Sequence, residues 1–324
     1  MPRLVPLALA GALVAAAVPA TPASAALIVS TKAKGGKSVH TITRADGRRA
    51  RTIPCPRGKV LASPTGDRVL CGRGSKWRIM TLATRRSVAI FLPTGNSVTN
   101  LAWAPDGDRI AVALRGAGAA GRIGITDPRT GGMVVIRTLD PGVGVGAVSW
   151  APDSTSVAYV QRSGDPAAGA AHVVDARTGA DRALLAVPGV GAGRTIDWSR
   201  RGEIAVADGT GRIQVVRPDG TVAATLGRAS ERAVGLEWAP SGDRLAVQTA
   251  GRGARWRVVE RSGAVRVVRV TAAAPLAWAP NSKLLAAATA KAVVLVSSRG
   301  SVSRRWKQYK RVTAVSWATP RSIA

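Results

Sequence analysis

The chain is dominated by one repeated stretch, in which a short apolar strand leads through a turn into a second apolar strand. The copies are VLASPTGDRVLC (60–71), LAWAPDGDRIAV (101–112), VSWAPDSTSVAY (148–159), IDWSRRGEIAV (196–206), LEWAPSGDRLAV (236–247), LAWAPNSKLLAA (276–287) and VSWATPRSIA (315–324). Ala62 closes the first strand in the first copy, and tryptophan does so in the others, at Trp103, Trp150, Trp198, Trp238, Trp278 and Trp317. These positions recur every 39 to 48 residues. A period of this length with strand-like content predicts the blades of a β-propeller.

Each copy has the chemistry of a β-hairpin. In LAWAPDGDRIAV, Pro105 presets φ, Asp106 can bond the local backbone, and Gly107 accepts positive φ. A second strand–turn–strand unit follows each hairpin, so each repeat supplies four strands, A to D, with tryptophan on strand A as a wedge between neighbouring sheets. We predict an all-β fold, a seven-bladed propeller of four-stranded antiparallel blades. Unrelated hairpins in a β-sandwich would not explain the near-constant spacing.

The copies also share a consensus. Tryptophan is followed by Ala or Ser, Pro, an Asp, Ser or Asn, and then Gly or Ser, and a D-x-x-T-G turn comes later, as at 175–179. This pattern resembles the WD40-like (PD40) repeat of the TolB-type propellers, over nearly all of the chain beyond its first 25 residues. The resemblance implies the propeller fold and no particular ligand, since such repeats serve many roles. Two copies depart from the pattern, at Ser199-Arg200-Arg201-Gly202 and at Ala318-Thr319-Pro320.

The first 25 residues have the pattern of a secretory signal peptide. Arg3 precedes an apolar run from Leu4 to Val18, and Ala23-Ser24-Ala25 is an A-x-A cleavage site. We predict a signal peptide over residues 1–25, a single propeller domain over residues 26–324, and an exported protein that is secreted or associated with the cell envelope. An uncleaved membrane anchor is the alternative.

The two ends of the remaining chain complement each other. AALIVST reads as strand B of a blade, Val39 to Thr43 as C and Arg49 to Ile53 as D, whereas VSWAT at 315–319 is a strand A without followers. We expect the two ends to share one blade, because an open ring would expose sheet edges. The tail at 321–324 competes for the place of strand B.

The cysteines are Cys55 and Cys71. They fall at the same end of the second hairpin, and export favours a disulfide between them. Two free buried thiols are the alternative.

The formal net charge is +29, which favours acidic partners and salt-sensitive association. The cations concentrate on the B–C and D–A loops, which share one face of a propeller. From the B–C loops we predict a basic binding face that includes Lys32, Lys34, Arg73, Arg115, Arg122, Arg162, Arg212, Arg252, Arg255 and Lys291. On the B–C and D–A loops together we count only four acids: Asp140, Asp165, Asp208 and Glu231. A solvated basic surface with no dedicated ligand is the alternative.

Catalytic and cofactor motifs are missing from the sequence. It has no G-x-S-x-G, H-E-x-x-H, C-x-x-C or P-loop pattern, and the G-x-G stretches at 141–150 and 188–198 lead into strands rather than helices. We therefore expect no cofactor and no metal, and structural roles for His40 and His172. Nucleic acid is an unfavoured partner, because the chain has no stacking platform of Phe or Tyr.

Two acids stand out on the innermost strands. Asp197 and Glu237 precede tryptophans of adjacent blades, where other copies have Ala or Ser. Near the central channel they could bind a cation or a basic group, or be satisfied by neighbouring arginines. Trp77, Trp256 and Trp306 lie outside the motif and fit either core or a contact surface.

These observations favour an exported, monomeric, non-catalytic binding scaffold at the cell envelope, with a protein, an anionic envelope polymer or a membrane surface as partner. The alternatives are a propeller enzyme of the lyase or glycosidase type, with its site at the central channel, and a structural subunit of an envelope complex.

Overall fold

The protein is a ring of seven four-stranded antiparallel sheets. The structure is a computed structural model that describes residues 26–32, 38–44, 48–55, 58–116, 120–165, 168–190, 193–226, 232–250, 256–268, 270, 277–289, 292–307 and 312–318. These residues form strands and turns, and no helix among them is long and apolar enough to cross a membrane. The predicted seven-bladed propeller is confirmed.

The blades are numbered in chain order, with strand A innermost and strand D at the outer edge. Blade one is β28 (Val312–Ala318), β1 (Ala26–Lys32), β2 (Ser38–Arg44) and β3 (Arg49–Ile53). Blade two is β4 (Lys59–Ala62), β5 (Arg68–Arg73), β6 (Lys76–Thr81) and β7 (Ser87–Ala89), and blade three is β8 (Ser97–Trp103), β9 (Ile110–Arg115), β10 (Gly121–Thr126) and β11 (Met133–Thr138). Blade four is β12 (Gly144–Trp150), β13 (Ser156–Arg162), β14 (Ala170–Asp175) and β15 (Asp181–Ala186).

The remaining blades repeat this order. Blade five is β16 (Ile196–Trp198), β17 (Ile204–Ala207), β18 (Ile213–Val216) and β19 (Val222–Leu226). Blade six is β20 (Ala233–Trp238), β21 (Arg244–Thr249), β22 (Trp256–Glu260) and β23 (Val265–Val268). Blade seven is β24 (Ala277–Trp278), β25 (Leu284–Ala288), β26 (Ala292–Ser297) and β27 (Val302–Lys307).

Blade one closes the ring with strands from both ends of the chain. Leu27 on β1 pairs with Trp317 on β28 on one side and with Thr43 on β2 on the other. The predicted shared blade is therefore confirmed. The tail at 321–324, which was the other candidate for strand B, lies outside the described residues.

The core consists of seven apolar clusters, one between each pair of neighbouring blades. Motif tryptophans contribute to these clusters, as Trp150 does between blades three and four and Trp238 between blades five and six. Trp77 and Trp256 are buried in two of the clusters, and Trp306 packs against a third. All three belong to the core, not to a contact surface.

Two hairpin turns use serine where other copies have glycine. Ser154 and Ser282 adopt positive φ values of 60° and 59°. Their hydroxyls accept hydrogen bonds from the preceding blades, from the Asp106 amide at 3.2 Å and the Ser241 amide at 2.8 Å. Contacts between turns of neighbouring blades thus offset an unfavourable backbone conformation.

A disulfide joins Cys55 and Cys71, whose Cα atoms are 6.0 Å apart. Both residues lie in the cluster between blades one and two. This is the one contact between blades where Ala62 takes the place of a motif tryptophan.

The antiparallel strand order gives the ring two different faces. The A–B and C–D turns lie at one face, called the turn face below. The B–C and D–A loops lie at the other, called the loop face. The candidate sites are on the innermost strands and on the loop face.

Candidate functional site

The innermost strands of blades four, five and six each carry a polar residue directly before the motif tryptophan. These residues are Ser149, Asp197 and Glu237. The strands β12, β16, β20 and β24 contact one another in sequence around the ring. Each polar side chain therefore meets the innermost strand of the next blade.

The three side chains accept backbone hydrogen bonds in the same way. The amide of Trp198 donates to the Ser149 hydroxyl at 3.0 Å, and the amide of Trp238 donates to Asp197 Oδ2 at 2.7 Å. The amide of Trp278 donates to Glu237 Oε1 at 3.2 Å. Each of these three side chains thus ties its blade to the next one.

Arg194 joins the two carboxylates from the D–A loop that precedes β16. Its Nη2 lies 3.1 Å from Asp197 Oδ1, and its Nη1 lies 3.7 Å from Glu237 Oε2. Its backbone also pairs with β20, because the Arg194 amide donates to Val234 O at 3.2 Å and the Leu236 amide donates to Arg194 O at 2.7 Å. Arg194 therefore forms ion pairs with both acids that the sequence analysis singled out.

The two carboxylates differ in how fully they are satisfied. Asp197 is 5% exposed and accepts hydrogen bonds from the Ser149 hydroxyl at 3.1 Å, from Arg194 and from the Trp238 amide. Burial and the Asp197 charge raise the pKa of Glu237 to about 7, although Arg194 and the Trp278 amide oppose the shift. The cluster therefore contains one acid that titrates near neutral pH and one whose oxygens are already occupied.

The tryptophan indoles form a second set of bonds between blades. The Nε1 groups of Trp103, Trp150, Trp278 and Trp317 donate to Leu61 O, Ala102 O, Glu237 O and Ala277 O of the preceding blade, at 3.4, 3.0, 3.0 and 2.7 Å. The Nε1 groups of Trp198 and Trp238 are buried and have no partner among the described residues. Trp198 directly follows Asp197 in the chain, and the Trp238 amide donates to the Asp197 carboxylate.

The loop face carries many cations that form no salt bridge with a described acid. The cations described there are Lys59, Arg73, Lys76, Arg115, Arg122, Arg162, Arg194, Arg212 and Arg232. Within the described part of the chain, only Arg194 of this set forms a salt bridge. Of the predicted binding residues, Lys34, Arg252, Arg255, Lys291 and the side chain of Lys32 lie outside the described residues.

The turn face differs, because its acids are engaged. Arg68 pairs with Asp67, Arg109 with Asp106, Arg129 with Asp108, Arg244 with Asp243, Arg261 with Glu203 and Arg266 with Glu260. Other turn acids accept backbone amides, as Asp175 does from Arg177 and Thr178. Acids and cations thus form ion pairs on the turn face, whereas the described cations of the loop face, apart from Arg194, are not paired with described acids.

A small polar cleft opens on the loop face above blade four. Its volume is about 210 Å³, and Arg162, Ser163, Asp165, Gly169, Gly189 and Val190 line it. We call it the blade-four cleft. Sequence analysis named Arg162 as a basic-face residue but did not predict a cleft. The available signal was the B–C loop of blade four, which is longer than those of its neighbours.

The histidines belong to buried networks that the sequence analysis did not foresee. His40 Nδ1 lies 2.7 Å from the Ser30 hydroxyl, and burial lowers the His40 pKa to about 4. His172 stacks on Tyr159, and both contact the Asp181 carboxylate. Burial and the Asp181 charge raise the pKa of the Tyr159 hydroxyl.

Comparison with known proteins identifies the fold and no more. No family model matches the chain, and no curated protein matches it. TolB from Acinetobacter baumannii is similar in structure, with a TM-score of 0.56 and 15% identity over 90% of this chain and 81% of that one. A putative 6-phosphogluconolactonase from Bacteroides fragilis has a TM-score of 0.66 and 12% identity over 92% of this chain and 99% of its own. A propeller in a nidogen/laminin complex has a TM-score of 0.54 and 15% identity over 78% of this chain and 98% of its own.

Proposed function

We propose that this propeller, which has the TolB-type fold, is an exported non-catalytic binding protein whose loop face binds an anionic polymer of the cell envelope. The observation that carries the proposal is the contrast in ion pairing between the two faces. Six arginines of the turn face pair with acids, whereas the described cations of the loop face, apart from Arg194, form no salt bridge with any described residue. A face of unpaired cations attracts a polyanion, and the attraction weakens with salt.

Export is part of the proposal. The signal-peptide pattern at 1–25 lies outside the described residues, and the support from the structure is the Cys55–Cys71 disulfide. Disulfides persist in oxidising compartments such as the periplasm and the extracellular space. A propeller of this architecture occurs in the nidogen/laminin complex, so a protein ligand is the alternative to a polymer that the test must distinguish.

The test is binding of residues 26–324 to envelope material of the source organism across a salt series, with two variants of equal net charge. One variant is R73Q/R115Q/R212Q on the loop face, and the other is R177Q/R217Q/R299Q on the turn face. All six arginines are exposed and form no salt bridge within the described residues. We expect the loop-face variant to lose salt-sensitive binding and the turn-face variant to keep it.

Equal losses in the two variants would mean that binding follows net charge alone and would refute a dedicated face. Protease-sensitive binding would replace the polymer with a protein partner.

An enzyme with a site at the channel is the second candidate. One observation favours it, because Glu237 titrates near neutral pH, as a general acid or base does. The hydrogen bonds around Asp197 and Glu237 favour a structural role, since Arg194 and tryptophan amides already occupy these groups. Lactone and glycoside substrates test this candidate, and turnover that E237Q abolishes without unfolding the protein would support it.

A further inference from the structure

The blade-four cleft lies at the B–C loop of blade four, which is two residues longer than the B–C loops of the neighbouring blades. Seven residues separate β13 from β14, against five between β9 and β10 and five between β17 and β18. Arg162, Ser163, Asp165 and Gly169 line the cleft from this side, and Gly189 and Val190 line it from the D–A loop that leads to blade five.

Close backbone contacts that involve Gly169, Gly189 and Gly209 lie beside the cleft. A Cβ at Gly169 would lie 2.4 Å from Val187 O, and a Cβ at Gly209 would lie 2.1 Å from Gly189 O. Backbone bonds of 2.8 Å run from the Val187 amide to Gly169 O and from the Gly209 amide to Pro188 O. The loops of blades four and five thus pack backbone against backbone, which holds the cleft open in one shape.

Arg162 supplies the charge of the cleft. Its side chain is half-buried, and its aliphatic part lies over Gly146, where a Cβ would come within 3.1 Å of Arg162 Cδ. It forms no salt bridge within the described part of the chain. A guanidinium that is held in place in this way offers two parallel donors to a carboxylate or a phosphate.

The other walls suit a hydroxylated ring. Ser163 and Asp165 bring a hydroxyl and a carboxylate to the cleft, and the Asp165 amide donates to the Ser163 hydroxyl at 3.2 Å. Val190 provides one aliphatic surface, and the backbone of Gly169 and Gly189 also lines the cleft. The volume of about 210 Å³ is below the roughly 300–1,000 Å³ of pockets that enclose drug-sized ligands.

We infer that the blade-four cleft binds one sugar ring that carries a carboxylate or a phosphate, as a single unit of the anionic envelope polymer. Arg162 pairs with the anionic group, Asp165 and Ser163 hydrogen-bond to ring hydroxyls, and Val190 contacts the C–H face of the ring. The inference rests on the proposed function, because the cleft selects among the polyanions that the loop face attracts.

The test measures binding of defined oligosaccharides to residues 26–324 by titration calorimetry. The probes are a trimer of galacturonic acid, a phosphorylated mannose trimer and a neutral mannose trimer. The variant is R162Q, and the matched control is R177Q, which removes an exposed arginine from the turn face. Thermal unfolding of both variants verifies that they fold.

We expect R162Q to weaken binding of at least one charged trimer tenfold or more and R177Q to weaken it twofold at most. The neutral trimer should bind the unaltered protein at least tenfold more weakly than that charged trimer. Ligand-induced protection of residues 163–165 and 187–190 in hydrogen exchange gives a reading that does not depend on any variant.

Equal losses in R162Q and R177Q, or equal binding of neutral and charged trimers, would overturn the proposal that the cleft is a binding site. The proposed function would survive that result if envelope binding still depended on Arg73, Arg115 and Arg212. Absence of envelope binding would overturn the proposed function itself, which separates the two failures.

Discussion

Two contacts between neighbouring blades solve the same packing problem with different chemistry. Between blades three and four, Ala102 precedes the motif tryptophan, and the Trp150 indole donates to Ala102 O at 3.0 Å. Between blades five and six, Asp197 takes the position of Ala102, the Trp238 amide donates to its carboxylate, and the Trp238 indole has no partner among the described residues. The first contact is held by a hydrogen bond from an indole to a carbonyl. The second is held by a buried carboxylate that accepts a backbone amide and pairs with Arg194.

The difference shows that the wedge shape and the hydrogen bonds are separable functions of the motif tryptophan. Trp150 and Trp238 are 4% and 6% exposed, so both fill the space between sheets. Only one of them also forms the indole bond. Where that bond is missing, the ring carries an ionisable cluster that is expensive to break but not needed for packing.

Replacing Asp197 should have the largest effect. D197A removes the acceptor of the Ser149 hydroxyl, Arg194 and the Trp238 amide, and each unsatisfied buried donor costs about 1–3 kcal/mol. We expect the free energy of unfolding to fall by about 3 kcal/mol or more in urea titrations. D197N, which keeps the shape and one acceptor oxygen, is the control, and we expect its free energy of unfolding to fall less. A loss below about 1 kcal/mol for D197A would mean that water replaces the carboxylate without cost.

The contact between blades one and two extends the comparison, because it has a disulfide where it lacks a tryptophan. Closing a loop with a sequence separation of 16 stabilises a fold by about 3 kcal/mol in the chain-entropy model. We expect C55A/C71A to lose about that much in urea titrations. Reduction of the unaltered protein should reproduce the loss, and a reduced protein as stable as the oxidised one would contradict this role.

Sequence reasoning identified the parts of these contacts that follow from local chemistry. The tryptophan period, the Pro-Asp-Gly turns, the shared blade and the cysteine pair all depend on residue type and spacing. The role of Arg194 could not be predicted, because it depends on a D–A loop that pairs with β20 of the next blade. The blade-four cleft was missed for a similar reason, since Gly189 and Gly209 meet through loops of different blades.

The cluster between blades five and six should also make stability depend on pH. The pKa of Glu237 is about 7 in the folded protein, against 4.5 as its ordinary value. Between these values the folded protein holds a proton that the unfolded chain has released, so the free energy of unfolding falls as pH rises from about 4.5 to 7 and then levels. One pKa unit corresponds to about 1.4 kcal/mol, so the rise from 4.5 to about 7 predicts a fall of roughly 3–4 kcal/mol.

E237Q removes this titration and is the variant that measures it. The difference in unfolding free energy between E237Q and the unaltered protein should change across this pH window and be constant above it. A difference that is constant from pH 4 to 8 would show that Arg194 keeps the carboxylate ionised throughout.

The smallest expected effect tests the indoles directly. Trp278 and Trp238 are 5% and 6% exposed, but only the Trp278 indole has a partner, at 3.0 Å. W278F and W238F remove the same ring volume, and W278F also leaves the Glu237 carbonyl without its donor. We expect W278F to cost about 1 kcal/mol more than W238F, which is the net value of one such hydrogen bond. Equal losses would mean that water satisfies the Trp238 indole, and the two kinds of blade contact would then differ in charge alone.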